Sequence, residues 1–326
     1  MKITVLGAGA WGTALARILA LRNHQVVLWD YFPETADTIN RTRCNERYLP
    51  GINLPENLRG EPDATKAVTG AEIVVVASVS KGFRNATKCL DSFSGVVVSV
   101  TKGIEFETSK TMTDILAENA PQARIVAMSG PTLAMEVAKG IPTAIVAASA
   151  EADAAQTVQS LFHSPAFRVY TSTDVHGVEL GGALKNVIAI GAGVCDGLGF
   201  GDNSKASLVT RAIAEMRRLG VACGAQADTF TGLSGLGDLM VTCFSKLSRN
   251  RGFGERLGRG EKAEAIVASM TAVAEGYPNA RSAQELARKH GVQTPIMEQV
   301  HAMLYAGKDV RQAVQDLTAR ESKAED

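Results

Sequence analysis

The chain has 326 residues, of which 45% are hydrophobic and 21% charged, and its 34 basic side chains equal its 34 acidic ones. That length exceeds what one hydrophobic core usually supports, so two domains are expected. The even charge balance excludes a broad nucleic-acid footprint while leaving room for a local phosphate pocket.

Cys44, Cys89, Cys195, Cys223 and Cys243 are scattered and never spaced CxxC. This predicts reduced thiols in a cytoplasmic setting and no disulfide framework. The five histidines form no HxxxH or His/Cys cluster, so no metal is expected. No apolar run reaches the roughly 18 residues needed to cross a bilayer. Gly7, Gly9 and Gly12 break the apolar start that a signal peptide would require.

Taken in order, Lys2–Leu6 reads as a buried strand and Thr13–Leu21 as an amphipathic helix, with Gly7-Ala8-Gly9-Ala10-Trp11-Gly12 between them. A second strand, Gln25–Trp29, ends at Asp30, eighteen residues past Gly12. GxGxxG alone is a weak signal, but this strand–turn–helix–strand frame with a terminal acid makes it a dinucleotide-binding one. Gly7 permits the tight turn, Gly9 lets backbone approach a pyrophosphate, and Gly12 allows close helix–strand packing. The helix N-terminus offers N–H groups and positive dipole to the phosphates, and Asp30 can accept hydrogen bonds from the adenosine ribose.

Further apolar runs at Ile73–Ala77, Val96–Val100, Arg124–Met128, Ala144–Ala147 and Phe167–Tyr170 alternate with helical stretches, notably Ser109–Asn119 and Glu151–Leu161. The pattern predicts an α/β, Rossmann-like, doubly wound and mostly parallel sheet, with ligands beyond the carboxyl ends of its strands. Two such ends stand out, Thr101-Lys102-Gly103 and Ser129-Gly130-Pro131-Thr132. Lys102 is placed to meet a ligand, whereas Lys110 and Lys139 read as solvated helix charges.

From Val178 the pattern turns helical: 181–195, Ala206–Leu219, Ala263–Met270, Ala280–His290, Pro295–Leu304 and Val310–Ala319. Gly220, Gly291 and Gly307 read as C-terminal stops and Pro295 as a first helical position. The expected organisation is a dinucleotide-binding domain over 1–178 and an all-helical substrate and catalytic domain over 179–326. Leu208, Val209, Ala212, Ile213, Met216 and Leu219 form one core-facing stripe, and the charged tail from Glu321 to Asp326 is expected to fray.

Within the helical half, Gly181–Ile190 reads as the opening of a helix on which Lys185 shares a face with Gly181, Gly182, Ile188, Ala189 and Ala192. No carboxylate sits at i±3 or i±4. An ammonium held among glycines and aliphatic groups loses hydration, which lowers its pKa from about 10.4 and suits it to proton transfer. The plainer reading is a lysine stem lying on apolar surface with its head in water. Thr231–Asp238 is too glycine-rich for a helix interior and ends on a carboxylate. Ser248-Arg249-Asn250-Arg251 reads as a basic loop, equally a solvated turn or an anion clamp.

Together these segments closely resemble the NAD(P)-dependent glycerol-3-phosphate dehydrogenases of the bacterial type. The resemblance runs through GAGAWGTALA (7–16), TKGIE (101–105), SGPTLAMEVAKGIPTA (129–144), GGALKNVIAIGAGVCDGLG (181–199), GLGDLMVTC (235–243), SRNRGFG (248–254) and AEGY (274–277). It implies Lys185 as the catalytic acid/base and Lys102 as a contact to both cofactor and substrate. Gly130, Thr132, Lys185, Asp238, Arg249 and Asn250 would hold the substrate, with Ser248 beside them. Ala10, Trp11, Tyr31, Ala134, Arg249, Val273 and Glu275 match cofactor-contacting positions, alongside Gly7, Gly9, Gly12 and Asp30 of the turn.

Two departures matter. Leu133 stands where the family commonly has Phe, and Asp30-Tyr31 replaces an uncharged or basic pair. The cofactor is then NAD(H) or NADP(H), with NAD favoured because an anion at 30 repels a 2′-phosphate. The resemblance further implies reduction of dihydroxyacetone phosphate, a phosphorylated three-carbon substrate, to sn-glycerol 3-phosphate in a cytoplasmic homodimer that supplies phospholipid synthesis. No nucleic acid, metal or membrane span enters this reading. The alternatives are a hydroxyacid or 6-phosphogluconate type of dehydrogenase, and a nucleotide-sensing protein without turnover.

Overall fold

The computed structural model describes residues 1–270 and 272–321, so the tail expected to fray lies, from 322 onward, outside the described residues. The chain divides into two compact units. One comprises Met1–Glu105 and Lys110–Glu179; the other comprises Phe106–Ser109 and the chain from Leu180 onward.

The first unit is built on ten strands: β1 (Lys2–Leu6), β2 (Gln25–Trp29), β3 (Cys44–Asn45), β4 (Leu49–Asn53), β5 (Leu58–Glu61), β6 (Ile73–Val76), β7 (Val96–Ser99), β8 (Arg124–Ser129), β9 (Thr143–Ala148) and β10 (Phe167–Ser172). Eight of them form one sheet in the order β10-β9-β8-β7-β6-β1-β2-β5. Every pairing is parallel except β8 with β9. The central strands β6 and β7 are fully buried runs of valine and isoleucine with one serine, as a parallel sheet covered on both faces requires. β3 and β4 form a separate antiparallel hairpin.

Some boundaries move for identifiable reasons. The first helix starts at Ala10, with Gly9 as its N-cap. The helix expected from Ser109 starts at Met112, because Thr111 and Asp114 form a reciprocal capping box and Ser109 has a positive φ of 59°. The hairpin, β5 and the helix Pro33–Thr42 had no counterpart in the sequence reading.

The second unit is helical. The helix Val175–Gly197, which belongs to this unit from Leu180 onward, begins six residues before the expected opening at Gly181. That helix also corrects the expectation that no apolar stretch could cross a membrane. An 18-residue window of it has mean hydropathy 1.4, and all of that window is buried in the protein. Gly181 does not start the helix; a Cβ there would lie 2.7 Å from the Ser234 carbonyl oxygen. Gly220 likewise does not stop its helix, Asp202–Ala222, but makes room for the Phe230 ring. The glycine-rich stretch expected as a loop is a π-turn over Leu233–Gly237, leading into the helix Asp238–Phe244.

The helix Val175–Gly197 packs backbone to backbone against Arg249–Gly258. A Cβ at Gly193 would lie 1.9 Å from the Arg251 carbonyl oxygen, and one at Gly254 would lie 1.9 Å from that of Ile190. Gly197 and Gly258, four residues further along each helix, repeat the arrangement with gaps of 2.3 and 2.7 Å to facing carbonyl oxygens. Only glycine fits such distances. Gly254→Ala is therefore expected to lower the thermal midpoint and to cost at least the ~1–3 kcal/mol typical of overpacking, because the obstacle is backbone and cannot rotate away. An unchanged midpoint would show that the crossing can spread freely.

Candidate active site

In the first unit the glycine turn has the features a dinucleotide needs. Gly7 adopts φ 115°, and a Cβ there would meet the Ala77 carbonyl carbon at 2.7 Å. A Cβ at Gly12 would lie 1.9 Å from the Gly7 carbonyl oxygen. Gly9 differs, since a Cβ there meets nothing within 4 Å. Gly9 is the N-cap of the first helix, and a helix start leaves its first N–H groups without intrahelical partners. These are the conditions under which a helix start binds a pyrophosphate. Ala10, Trp11 and Ala134 meet in one apolar cluster beside the turn.

Asp30 is 8% exposed. Its Oδ2 accepts the Ala8 N–H at 2.9 Å and its Oδ1 accepts the Phe32 N–H at 3.0 Å. The carboxylate thus braces the glycine turn as well as ending β2. Tyr31, the next residue, is 79% exposed. At the ends of β7 and β8 the structure joins three predicted residues on one atom. The Gly130 carbonyl oxygen accepts Lys102 Nζ at 3.0 Å and Thr132 Oγ1 at 3.1 Å. A Cβ at Gly130 would lie 3.1 Å from the Ile145 Cα, a tight contact that its neighbour would have to relieve.

In the second unit Lys185 is 6% exposed. It is not the unpaired ammonium that its own helix suggested. Its Nζ donates to Thr242 Oγ1 at 2.7 Å and lies 3.0 Å from Asp238 Oδ1, both on the helix that follows the π-turn. Asp238 is 1% exposed, and Thr242, one turn later, donates to the Asp238 carbonyl at 2.6 Å. The carboxylate gives the buried Lys185 side chain an ion-pair partner, without which burying the charge would be costly.

The basic stretch at 248–251 is a helix start and not a loop. Ser248 caps Arg249–Gly258 by accepting the Arg251 N–H at 3.2 Å. Asn250 is a bridge: its Nδ2 donates to Asn186 Oδ1 at 2.8 Å, and its Oδ1 accepts the Gly276 N–H at 2.9 Å. Ser248 and Asn250 are thus buried parts of the framework that sets Arg249 at the first helical position. Arg249 keeps an exposed surface, yet the protein crowded around it costs hydration and lowers its pKa, against the pull of the Glu275 carboxylate. Guanidinium and helix N-terminus favour the same thing, an anion. Val273 is 44% exposed, and Glu275 is the N-cap of Gly276–His290.

Thr242 and Asn186 were missed in the sequence. The signals were there: Thr242 stands four residues after Asp238, and Asn186 follows Lys185 directly. Among the described residues no group of three His, Cys, Asp or Glu side chains could hold a metal ion.

Residues 2–155 match the family described as NAD-dependent glycerol-3-phosphate dehydrogenase N-terminus, and residues 174–315 match the corresponding C-terminus. The chain belongs to the NAD(P)-dependent glycerol-3-phosphate dehydrogenases. It is 49% identical over 331 residues to a glycerol-3-phosphate dehydrogenase (NAD(P)+) of Trichlorobacter lovleyi, covering 100% of this chain and 99% of that protein. A relative of the same description from Koribacter versatilis is 50% identical over 332 residues, covering 99% and 98%. The 2.1 Å crystal structure of glycerol-3-phosphate dehydrogenase from Coxiella burnetii superposes with a TM-score of 0.95 at 37% identity, covering 98% of this chain and 99% of that one. This dehydrogenase is an oxidoreductase whose cofactor is NAD(H) or NADP(H), and the Gly7–Gly12 turn fits the pyrophosphate of either.

Proposed function

We propose that the chain interconverts dihydroxyacetone phosphate and sn-glycerol 3-phosphate with Lys185 as proton donor and acceptor. The observation that carries this reading is the buried group of Lys185, Asp238 and Thr242. When bound, the nicotinamide supplies a hydride to the C2 carbonyl carbon. Negative charge then grows on the carbonyl oxygen. Lys185, held charged and in place by Asp238 and Thr242, stabilises that oxygen and protonates it. In the oxidative direction neutral Lys185 removes the hydroxyl proton.

Arg249 neutralises and orients the substrate phosphate in this reading, and Lys102, beside Gly130 and Thr132, contacts both substrate and cofactor. Residues 1–178 then serve the dinucleotide and 179–326 the substrate. The enzyme works as a cytoplasmic homodimer that supplies phospholipid synthesis; the five free cysteines agree with a reducing compartment. Initial rates at the nicotinamide absorbance band, with dihydroxyacetone phosphate set against ketones bearing a carboxylate, test the substrate class. Turnover of the carboxylates without turnover of the phosphate would overturn it.

A further inference from the structure

We infer that Arg251 is a positioning residue: its buried guanidinium bolts together the three helices that carry Lys185, Asp238 with Thr242, and Arg249. The inference rests on the roles proposed above for those four residues. Arg251 is 8% exposed, and each of its three side-chain nitrogens has an acceptor within the protein. Nη1 pairs with Asp196 on the helix Val175–Gly197, which carries Lys185. Nε donates to the Ser245 carbonyl at 3.1 Å, and Ser245 is the C-cap of Asp238–Phe244. Nη2 lies 3.1 Å from Glu255 Oε2, one turn along its own helix, Arg249–Gly258. Of the two arginines at 249 and 251, only the first is therefore aimed at an anion from outside; the second grips the protein.

The need for such a bolt follows from the glycines. The crossing of Val175–Gly197 with Arg249–Gly258 is lined by Gly193, Gly197, Gly254 and Gly258, so it lacks the interdigitating side chains that normally fix one helix against another. Arg251 supplies that fixing point. Its carbonyl oxygen is the atom that faces Gly193, and its side chain reaches Asp196, three residues further along the same helix. Asp196 stands eleven residues after Lys185, about three turns, and so almost in line with it. A slide or rotation of this helix that breaks the Asp196 pair carries Lys185 through the same displacement. On the other two helices Thr242 is three residues before Ser245, and Arg249 is two before Arg251.

A second cation reinforces the joint. Lys205, on the helix Asp202–Ala222, pairs with the other Asp196 oxygen. Its Nζ lies 5.2 Å from the centre of the ring of Phe244, the last residue of Asp238–Phe244. Asp196 is thus held at both oxygens by cations that also touch the helix of Asp238 or the residue capping it.

Steady-state rates of the whole chain at saturating cofactor, with dihydroxyacetone phosphate and with dihydroxyacetone, test this. They are read at a temperature where a melting curve shows each variant folded. Arg251→Met should lower kcat/KM on both substrates by a similar factor, about 10²-fold as for an ångström-scale misplacement, so that the ratio between substrates stays near wild type. Arg249→Ala should instead collapse that ratio. Arg251→Lys should recover part of the loss, because an ammonium keeps the charge opposite Asp196 but cannot span the three acceptors. Asp196→Asn should reproduce the Arg251→Met pattern, and it decides with Arg251→Lys should Arg251→Met not fold. A lowered thermal midpoint with wild-type rates would make Arg251 structural only and overturn the proposal. A loss confined to the phosphorylated substrate would overturn it too, by making Arg251 a phosphate ligand. Near-wild-type rates in Lys185→Met, measured alongside, would overturn the reading of the site on which the inference rests.

Discussion

Lys185→Met is expected to retain nicotinamide binding and lose about 10²- to 10⁴-fold in kcat, the usual range for a removed acid or base. Methionine keeps most of the buried stem, so the helix face on which Lys185 lies is still filled. What disappears, in the proposed mechanism, is the charge that would stabilise the reacting oxygen and the proton it would receive. The same substitution leaves Asp238 buried without its ammonium, and breaking a buried pair on one side costs roughly 3–5 kcal/mol. A melting curve and a cofactor titration on the same sample separate these effects. Adding Asp238→Asn to Lys185→Met should return much of the lost stability and none of the activity. Near-normal kcat in a folded Lys185→Met protein would remove this residue from the chemistry.

The second large effect is expected at Arg249. A phosphate of charge near −2 that enters a cleft exchanges its hydration for fixed donors, and a guanidinium at a helix N-terminus combines a two-point grip with the helix dipole. Each charge-assisted hydrogen bond contributes roughly 1.5–3 kcal/mol, so Arg249→Ala should cost about 10- to 150-fold in kcat/KM. Lysine at 249 should restore only part, because a point charge cannot copy the planar fork. Dihydroxyacetone without its phosphate is the control. Its poor turnover by wild type should fall far less in Arg249→Ala than turnover of the phosphorylated substrate does. Equal losses would assign Arg249 to the cofactor or to its neighbour Glu275.

The dinucleotide half was legible because its central strands are unbroken apolar runs and Gly7 and Gly12 of the turn each answer a separate steric demand. The edge was not. β5 reads Leu-Arg-Gly-Glu, with only Leu58 and Gly60 buried, and the hairpin strand β3 has two residues. In the helical half glycine misled the reading. Gly181, Gly220 and Gly235 look like punctuation, but each admits a neighbouring carbonyl or ring against a helix or turn. The setting of Lys185 was hidden for another reason. Helical spacing compares residues on one helix, and Thr242 lies 57 positions away in sequence. Resemblance supplied Asp238 as a substrate residue; only the fold made it the partner of Lys185.

The segment Phe106–Ser109 belongs with the second unit although the chain on both sides of it belongs to the first. Phe106 lies under the Arg281 guanidinium, 4.0 Å from ring centre to carbon. Neither unit is therefore a continuous stretch of chain. A gene cut after residue 179 would give an N-terminal product with four residues that pack elsewhere, and a C-terminal product whose Arg281 has lost the nearer of its two rings and keeps Tyr305. Chimaeras between related dehydrogenases made by one crossover at that point inherit the same mismatch. An exchange of whole units needs three splice points, with residues 106–109 travelling with the helical half.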